Sequence, residues 1–598
     1  MLTELFLSSS LLLCGVAAHP QGGLGRPGGP TGFGGSGELL PASPDYSQWI
    51  FEKPLPIPPV KTPTHSVQVN GRTIQYFELT VEAFQSQVYP NLDPANLVGY
   101  DGIAPGPTFM VDRDVETVVR VTNRGQGPAA LHLHGSPTHA PWDGWAEDLI
   151  QVGEFKDYYY PNVQAGPLWY HDHVDGATST DVYYGQHGMY LIHDPAEDGL
   201  GLPDGDYDIP LLVGDAVYQQ SGDLQSPEGN QINFFGDVIQ VNGQPWPYLD
   251  VEPRKYRLRF ADFALSRPFD LSFADEDDNT IEVTVIAADS GLLGSPVTTE
   301  NIVISMGERW EVIMDFSSFK GQNVTLKNTL DGSDIPEYAN TDRVMRFVVG
   351  NSVSSSANNG DIPSTLRDIN WPQKKTTVDR QFDFGHGGDA IWSINGEAFS
   401  DVNNRVLARP QQGAVELWQF NYRGGPGTHP VHIHLINFQV VSRTGGSRGL
   451  LPYEAAGLKD VVLLEPGESV QALAVYGPWH GLYMFHCHNL VHEDNLMMAA
   501  FNVTRLEELG YADPDGLNDP LIPKYAARPS NAGAYEPAAI TSTLKALGSL
   551  NAYNHAPSVA SALSDYWATA AAPAGSMAAR GVDGAASAPQ ITQPPVLV

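Results

Sequence analysis

The sequence predicts an all-β protein of several domains, and three observations carry that expectation. Stretches such as "TPTHSVQVNGRTIQYFELTVEAF", "DVETVVRVTNR" and "RWEVIMDFS" alternate apolar and polar residues, the period of a strand with one buried face. Gly, Asn, Asp and Pro break the chain between such stretches, and long segments of helical period are scarce. The 598 residues, 42% hydrophobic and 10% aromatic, hold material for roughly three or four domain cores. Sandwiches or barrels fit that pattern.

The opening, "MLTELFLSSSLLLCGVAAHP", has an apolar core of signal-peptide length followed by small residues. A cut is expected after Ala18, although the segment carries Glu4 and no basic residue ahead of the core. No later run approaches ~18 uninterrupted apolar residues, so the expectation is a secreted, extracellular protein without a membrane span. Residues 19–44 are Gly/Pro-rich and read as an arm or propeptide.

Histidines then divide the chain. Ten of the 18 fall into four clusters, two between residues 132 and 173 and two between 429 and 492, and none lies between His193 and His386. "LHLHG", "LWYHDHVDG" and "GQHGMYLIHD" repeat the layout of "HPVHIHL", "LYMFHCHNL" and "NLMMAAFNV". This reads as a duplicated β domain, with copies near 45–200 and 371–512 separated by a histidine-free domain at 201–370. An Ala/Ser/Pro-rich tail, 513–598, follows; its end is too polar and small-residue-rich to offset its ordering entropy, and a short helix is expected around Ile540 to Leu550.

Composition excludes some partners. With 69 acidic against 33 basic residues the net charge is −36, which repels nucleic acid and anionic membranes. The sequons at Asn323 and Asn502 suit a secreted glycoprotein. Of two cysteines, Cys14 lies in the leader, so the mature chain keeps Cys487 alone and can form no internal disulfide. A lone thiol in an oxidising compartment points to metal ligation rather than an inert core cysteine.

The clusters supply the chemistry. His132/His134, His171/His173 and His432/His434 are His-X-His pairs in strand-like contexts, where residues i and i+2 share a face. In "MFHCHNLVHEDNLMM", His486 and His488 face one way and Cys487 the other, so a thiolate site on one side is joined to imidazole sites on the other by a few covalent bonds. His429, Cys487, His492 and Met497 together offer two imidazoles, a thiolate and a weak thioether, the ligand set of a blue copper centre. Zinc is the rival metal, but structural zinc closes on four ligands, often several cysteines, and gives no reason to wire two sites together.

The motifs "HLHG", "HDH", "HPVHIH" and "HCHNLVHEDNLM" resemble the signature of the multicopper oxidases across roughly residues 45–512. "DGWAED", "NTDRVMRFVV" and "THPVHIHLINFQVVSRT" are most similar to fungal bilirubin oxidases and laccase-like phenol oxidases. The resemblance implies three cupredoxin-like Greek-key domains and four copper ions. It assigns His429, Cys487, His492 and axial Met497 to the type 1 copper, and His132 and His432 to the type 2 copper. His134, His171, His173, His434, His486 and His488 fall to the type 3 pair. Asp143 and Glu493 match acidic positions that deliver protons in such enzymes, the plainer alternative being ordinary supporting carboxylates.

The implied activity is one-electron oxidation of phenols, with bilirubin as a candidate substrate, coupled to reduction of O2 to water by a monomer. Electrons would enter by the edge of His492 or His429. An axial Met predicts a low or moderate type 1 potential. The chain departs from bilirubin oxidases at Gly427, where they carry Trp two residues before the first His of the motif. Three rivals differ in consequence. A metal-ion oxidase would want a Met-rich insert or a membrane anchor, and a copper carrier needs only the type 1 ligands. A pigment-coupling oxidase shares the chemistry and differs in substrate. His139, His187, His193, His386 and His480 lack a partner at ligand spacing and read as structural or surface histidines. Met498, Trp142, Trp145 and Trp169 read as packing.

Overall fold

The computed structural model describes residues 40, 42–330, 338–387, 390–507, 516–553 and 556–570. The expected leader 1–18, nearly all of the arm 19–44 and the end of the tail lie outside the described residues.

Six β-sheets dominate, paired along the chain: two built on strands between Val60 and His193, one of them joined at its edge by a tail strand, two between Asp208 and Val349, and two between Arg380 and Val503. The same parallel pairings recur in all three units. Strand Arg72–Ser86 runs parallel to Glu116–Asn123, Asp208–Ala216 to Lys255–Asp262, and Arg380–Gly387 to Val415–Tyr422. A second parallel pair closes the facing sheet each time: Thr108–Asp112 with His187–His193, Tyr248–Val251 with Arg343–Val349, and Val406–Ala408 with Met498–Val503. Parallel neighbours cannot be joined by a tight hairpin and need a crossover. Three units sharing the same two crossovers are copies of one topology, so the histidine-free middle unit is a third copy.

Burial follows strand position. Asn323–Asn328 alternates, with Val324, Leu326 and Asn328 inward, because only one face meets the core. Glu116–Asn123 is central in its sheet, and all eight of its residues are buried. The apolar cores of the first and third units are continuous through Trp142, Trp479 and Tyr553, whereas the middle unit has its own core around Leu258, Trp310 and Phe347.

More of the tail is folded than its composition suggests. Residues Arg528–Pro529 add a strand beside Glu154–Phe155, and helices form at Pro537–Ser549 and Ala556–Ala570. Ile540, Leu544 and Leu547 fall at i, i+4 and i+7, one stripe of a helix, and all three are buried. Tyr553 then donates its hydroxyl to the Tyr159 carbonyl at 2.8 Å, tying the tail to the first unit.

Candidate metal centre

Two pairs of adjacent strands build the centre. His132 of Leu131–His134 stands opposite His171 of Gly166–Asp172, and His432 of His429–Ile433 stands opposite His486 of Gly481–Cys487. The first and third units thus present matching histidine-bearing strands to each other across their shared core. Rings within each His-X-His pair lie side by side, their centroids 5.6 Å apart for His132/His134, 5.7 Å for His171/His173 and 4.8 Å for His432/His434.

Cys487 ends its strand, and the chain turns at once into the helix Leu490–Asp494. The Asn489 side chain caps that helix by accepting from the Val491 and His492 amides, a satisfied helix start that returns His492 toward the thiol. Cys487 Sγ lies 3.5 Å from His429 Nδ1 and 3.6 Å from His492 Nδ1, which are themselves 3.1 Å apart. Met497 is buried beside them, its amide donating to the His492 carbonyl and its carbonyl accepting from the Cys487 amide.

On the other face of the Cys487 strand, eight histidines converge. His486 Nε2 lies 3.3 Å from His173 Nε2 and 3.2 Å from His434 Nε2, and ligand atoms of His132 group with His134 and His171 and, separately, with His432 and His434. The ring centroid of His488 is 5.0 Å from that of His134 and 5.4 Å from that of His171. Gly307 of the middle unit lies flat against His488: with φ +84°, a Cβ there would fall 2.9 Å from the ring.

The donor set fits buried metal ions. His132, His171 and His432 each turn Nδ1 to a backbone carbonyl, of Asp143, Asp172 and Asp460 respectively, at 2.5 to 2.9 Å. Their Nε2 atoms are then left fully buried without a hydrogen-bond partner. His134 is reversed: Nε2 meets Asp460 at 3.1 Å and Nδ1 is the orphan. Such a concentration of unpartnered buried polar atoms is costly unless something binds them. Fixing one ring nitrogen while aiming the other inward is how ligating histidines are oriented. Burial, reinforced by repulsion among the neighbouring imidazoles, holds His132, His134, His171, His432 and His434 well below the ordinary histidine range. Burial likewise holds His429 down at about 3. Neutral imidazole is the ligating form. Burial pushes the Cys487 thiol up, so its deprotonation needs an adjacent cation.

Carboxylates surround the cluster. Asp143 accepts from His434 Nδ1 at 2.8 Å, its other oxygen makes no hydrogen bond and lies 4.0 Å from His132 Nδ1, and burial pushes its carboxyl well above the ordinary value. Glu493 Oε2 is 3.0 Å from His486 Nδ1 and Oε1 is 3.7 Å from His173 Nδ1. Asp460 meets His134 and is gripped by Arg309, with Nη1–Oδ1 and Nη2–Oδ2 both 2.6 Å.

The ten histidines and Cys487 singled out by the motifs therefore lie together, with Asp143 and Glu493 beside them and Met497 buried next to His492 in the chain fold. Sequence reading missed Asp460, Arg309 and Trp392. The first two act through contacts spanning 326 and 151 residues, with no local signal. Trp392 covers His492, its ring centroid 3.8 Å away. Among the histidines read as bystanders, His139 bonds the Ala552 carbonyl and stacks on Trp479, and His187 bonds the Val182 carbonyl. His193 sits at the surface between Asp112 and Asp198. Trp142, Trp145 and Trp169 are buried, and Trp169 also stacks on His171 with centroids 4.2 Å apart.

Known proteins share these features. Multicopper oxidase family models match residues 82–197 and 371–507, the first and third units. A bilirubin oxidase of Albifimbria verrucaria is 50% identical over 508 residues, covering 83% of this chain and 88% of that protein. A laccase of Bacillus subtilis is 32% identical over 526 residues, covering 76% and 98%. Among solved structures, the McoA multicopper oxidase of Aquifex aeolicus superposes with TM-score 0.67 at 27% identity, covering 76% of this chain and 99% of its own. Its likeness extends the cupredoxin-like reading to all three units. At that identity and coverage to the bilirubin oxidase, and with ten histidines and a cysteine gathered as the motifs require, the chain belongs to the multicopper oxidase family.

Proposed function

We propose that this protein is a secreted, laccase- or bilirubin-oxidase-like enzyme that removes single electrons from phenols or tetrapyrroles and reduces O2 to two waters. The observation carrying this reading is the placement of Cys487 between His486 and His488, with its sulfur turned to His429 and His492. Four copper ions are proposed: type 1 at His429, Cys487, His492 and Met497, and type 2 at His132 and His432. A type 3 pair would sit at His173, His434 and His486 and at His134, His171 and His488. When bound, copper supplies the one-electron acceptor at the thiolate and the O2-reducing centre at the histidines.

The chain's own residues do the rest. Cys487 carries the thiolate and, through its backbone, both neighbouring imidazoles. A second route runs from its carbonyl to His486 Nδ1, 3.2 Å away. Asp143, with a raised carboxyl pKa and a free oxygen, suits holding a proton and releasing it near His434. Glu493, between His173 and His486, is the matching proton group on the opposite side. Backbone carbonyls and Asp460 fix the tautomers, so the imidazoles need not reorganise during turnover.

Among the described residues no helix is long and apolar enough to cross a membrane, and a monomer already brings the two histidine-bearing units together. A carrier would have no use for the eight-histidine cluster. Oxygen uptake by the copper-loaded protein, with a methoxyphenol and bilirubin compared side by side, tests the proposal. Uptake with either supports it and the rate ratio places the substrate preference. No uptake at full copper occupancy overturns the organic-substrate reading in favour of a metal-ion oxidase.

A further inference from the structure

His429 and His492 are both fully buried, so no substrate can touch the edge of either ring. Rings pack against both: half-buried Tyr422 stacks on His429 with centroids 5.0 Å apart, and a second stack leads outward from His492. The Trp392 centroid is 3.8 Å from His492 and 5.5 Å from His429, and on its other face His386 stacks at 4.8 Å with an interplanar angle of 14°. Trp392 is itself fully buried and pinned by its indole N–H, which donates to the Gln231 carbonyl at 2.6 Å. His386 is exposed.

The loop "RGGPGTHP" is shaped around this stack. Gly425 has φ +102°, and a Cβ there would fall 2.4 Å from the Trp392 ring and 3.4 Å from His386. Gly427 has φ +86°, and a Cβ there would fall 2.7 Å from Asn233 Oδ1. A side chain at 427, such as the Trp of bilirubin oxidases, is therefore sterically refused, while Trp392 reaches His492 from the strand Ala390–Ile394.

We propose that Trp392 relays electrons into His492 and that the exposed face of His386 is where a planar aromatic reductant docks. The proposal rests on the oxidase reading above. A phenol stacked on His386 loses one electron and its hydroxyl proton: the O–H bond breaks, the proton leaves to water, and a phenoxyl radical departs. The electron would cross His386, Trp392 and His492 toward the copper that Cys487 would hold, with no net change in any of the three rings. Four such electrons, four protons and one O2 give two waters. His386 touches substrate, whereas Trp392 acts through His492 and is a positioning residue for electron transfer.

The test uses the copper-loaded full chain. Trp392→Leu is expected to lower kcat for a methoxyphenol by about tenfold or more, with the blue copper–thiolate absorption and the type 1 potential unchanged. Trp392→Phe restores most of the rate. His386→Ala, which removes both the docking face and the first ring of the path, is expected to lower kcat, and to raise KM and weaken binding of 4-nitroanisole, a non-oxidised aromatic probe, each of the latter two by about 2- to 10-fold, the range of one aromatic stack. A Trp392→Leu protein with native blue absorption and kcat within about twofold of wild type would overturn the relay. Should that variant lose its blue absorption, His386→Ala decides: unchanged KM and unchanged probe affinity overturn the proposal. Failure of the oxidase reading shows separately, as a wild-type protein that consumes no oxygen with any organic reductant.

Discussion

Arg309→Met should be the most damaging single substitution outside the ligands. Arg309 belongs to the middle unit, yet its guanidinium holds Asp460 of the third unit through two 2.6 Å contacts and donates to the Pro167 carbonyl of the first at 2.8 Å. It also donates to the Gly307 and Asp289 carbonyls, and neither Arg309 nor Asp460 is exposed at all. Burial works against the guanidinium charge, but Asp460 and Asp289 outweigh it and raise its pKa further. Removing the cation strands Asp460 and Asp289 with only Lys459 as a neighbouring cation, 3.0 Å from Asp289. Breaking a buried pair costs ~3–5 kcal/mol, and three carbonyls lose donors as well, so the loss should be at least ~4 kcal/mol. That is a large part of the ~5–15 kcal/mol that holds a typical fold. Urea unfolding of copper-free protein, followed by tryptophan fluorescence, measures it. Arg309→Lys keeps the charge but not the fork and should lose ~1.5–3 kcal/mol. Adding Asp460→Asn to Arg309→Met should recover part of the loss, because a stranded charge is then removed. A loss below ~1 kcal/mol for Arg309→Met would refute the claim that this pair locks the three units together.

Three further outcomes are expected. Burial opposes the Glu454 charge, but Arg443 and Arg448 outweigh it and hold the carboxyl at about 2 rather than 4.5, so its folded-state pKa is depressed. Its contribution, ~3 kcal/mol, is present above pH 4.5 and lost as pH falls through about 2, so wild type and Glu454→Gln should differ at pH 7 and converge in acid. Glu468, raised by burial despite Arg443, works in the opposite sense and reduces the net acid loss of the wild type. Asp143→Asn should lower kcat by ~100-fold or more while leaving type 1 reduction by substrate, followed by stopped-flow bleaching, at its normal rate. Leu544→Ala in the tail helix should cost ~2–5 kcal/mol by urea denaturation, as a buried core residue rather than a tail residue does.

The histidine and cysteine clusters were legible because their signals are local: His-X-His puts two imidazoles on one strand face, and "HCH" divides them from the thiol. What was illegible acts over distance or carries no chemical mark. Asp460 and Arg309 look like ordinary charges until the chain folds. His386 looked like a surface histidine and is one, but its stacking on Trp392 depends on Gly425, some forty residues later, which lies flat against the ring. The middle unit offers no histidine to mark it as a third copy; the family resemblance implied it, and its two parallel crossovers match those of the other units. In the tail, the helix expected around Ile540 to Leu550 forms at Pro537–Ser549, but its docking was not legible, because Gly548 packs against Val69 and Ile74 near the other end of the chain.

The measurement that bears most directly on the whole account is the stoichiometry of oxygen consumption by the copper-loaded protein and by Cys487→Ser. The account predicts one O2 consumed for every four one-electron oxidations, without hydrogen peroxide, and no such consumption once the thiolate is gone. Accumulating hydrogen peroxide, one for every two electrons, or undiminished uptake by Cys487→Ser, would contradict a thiolate wired to a four-electron centre.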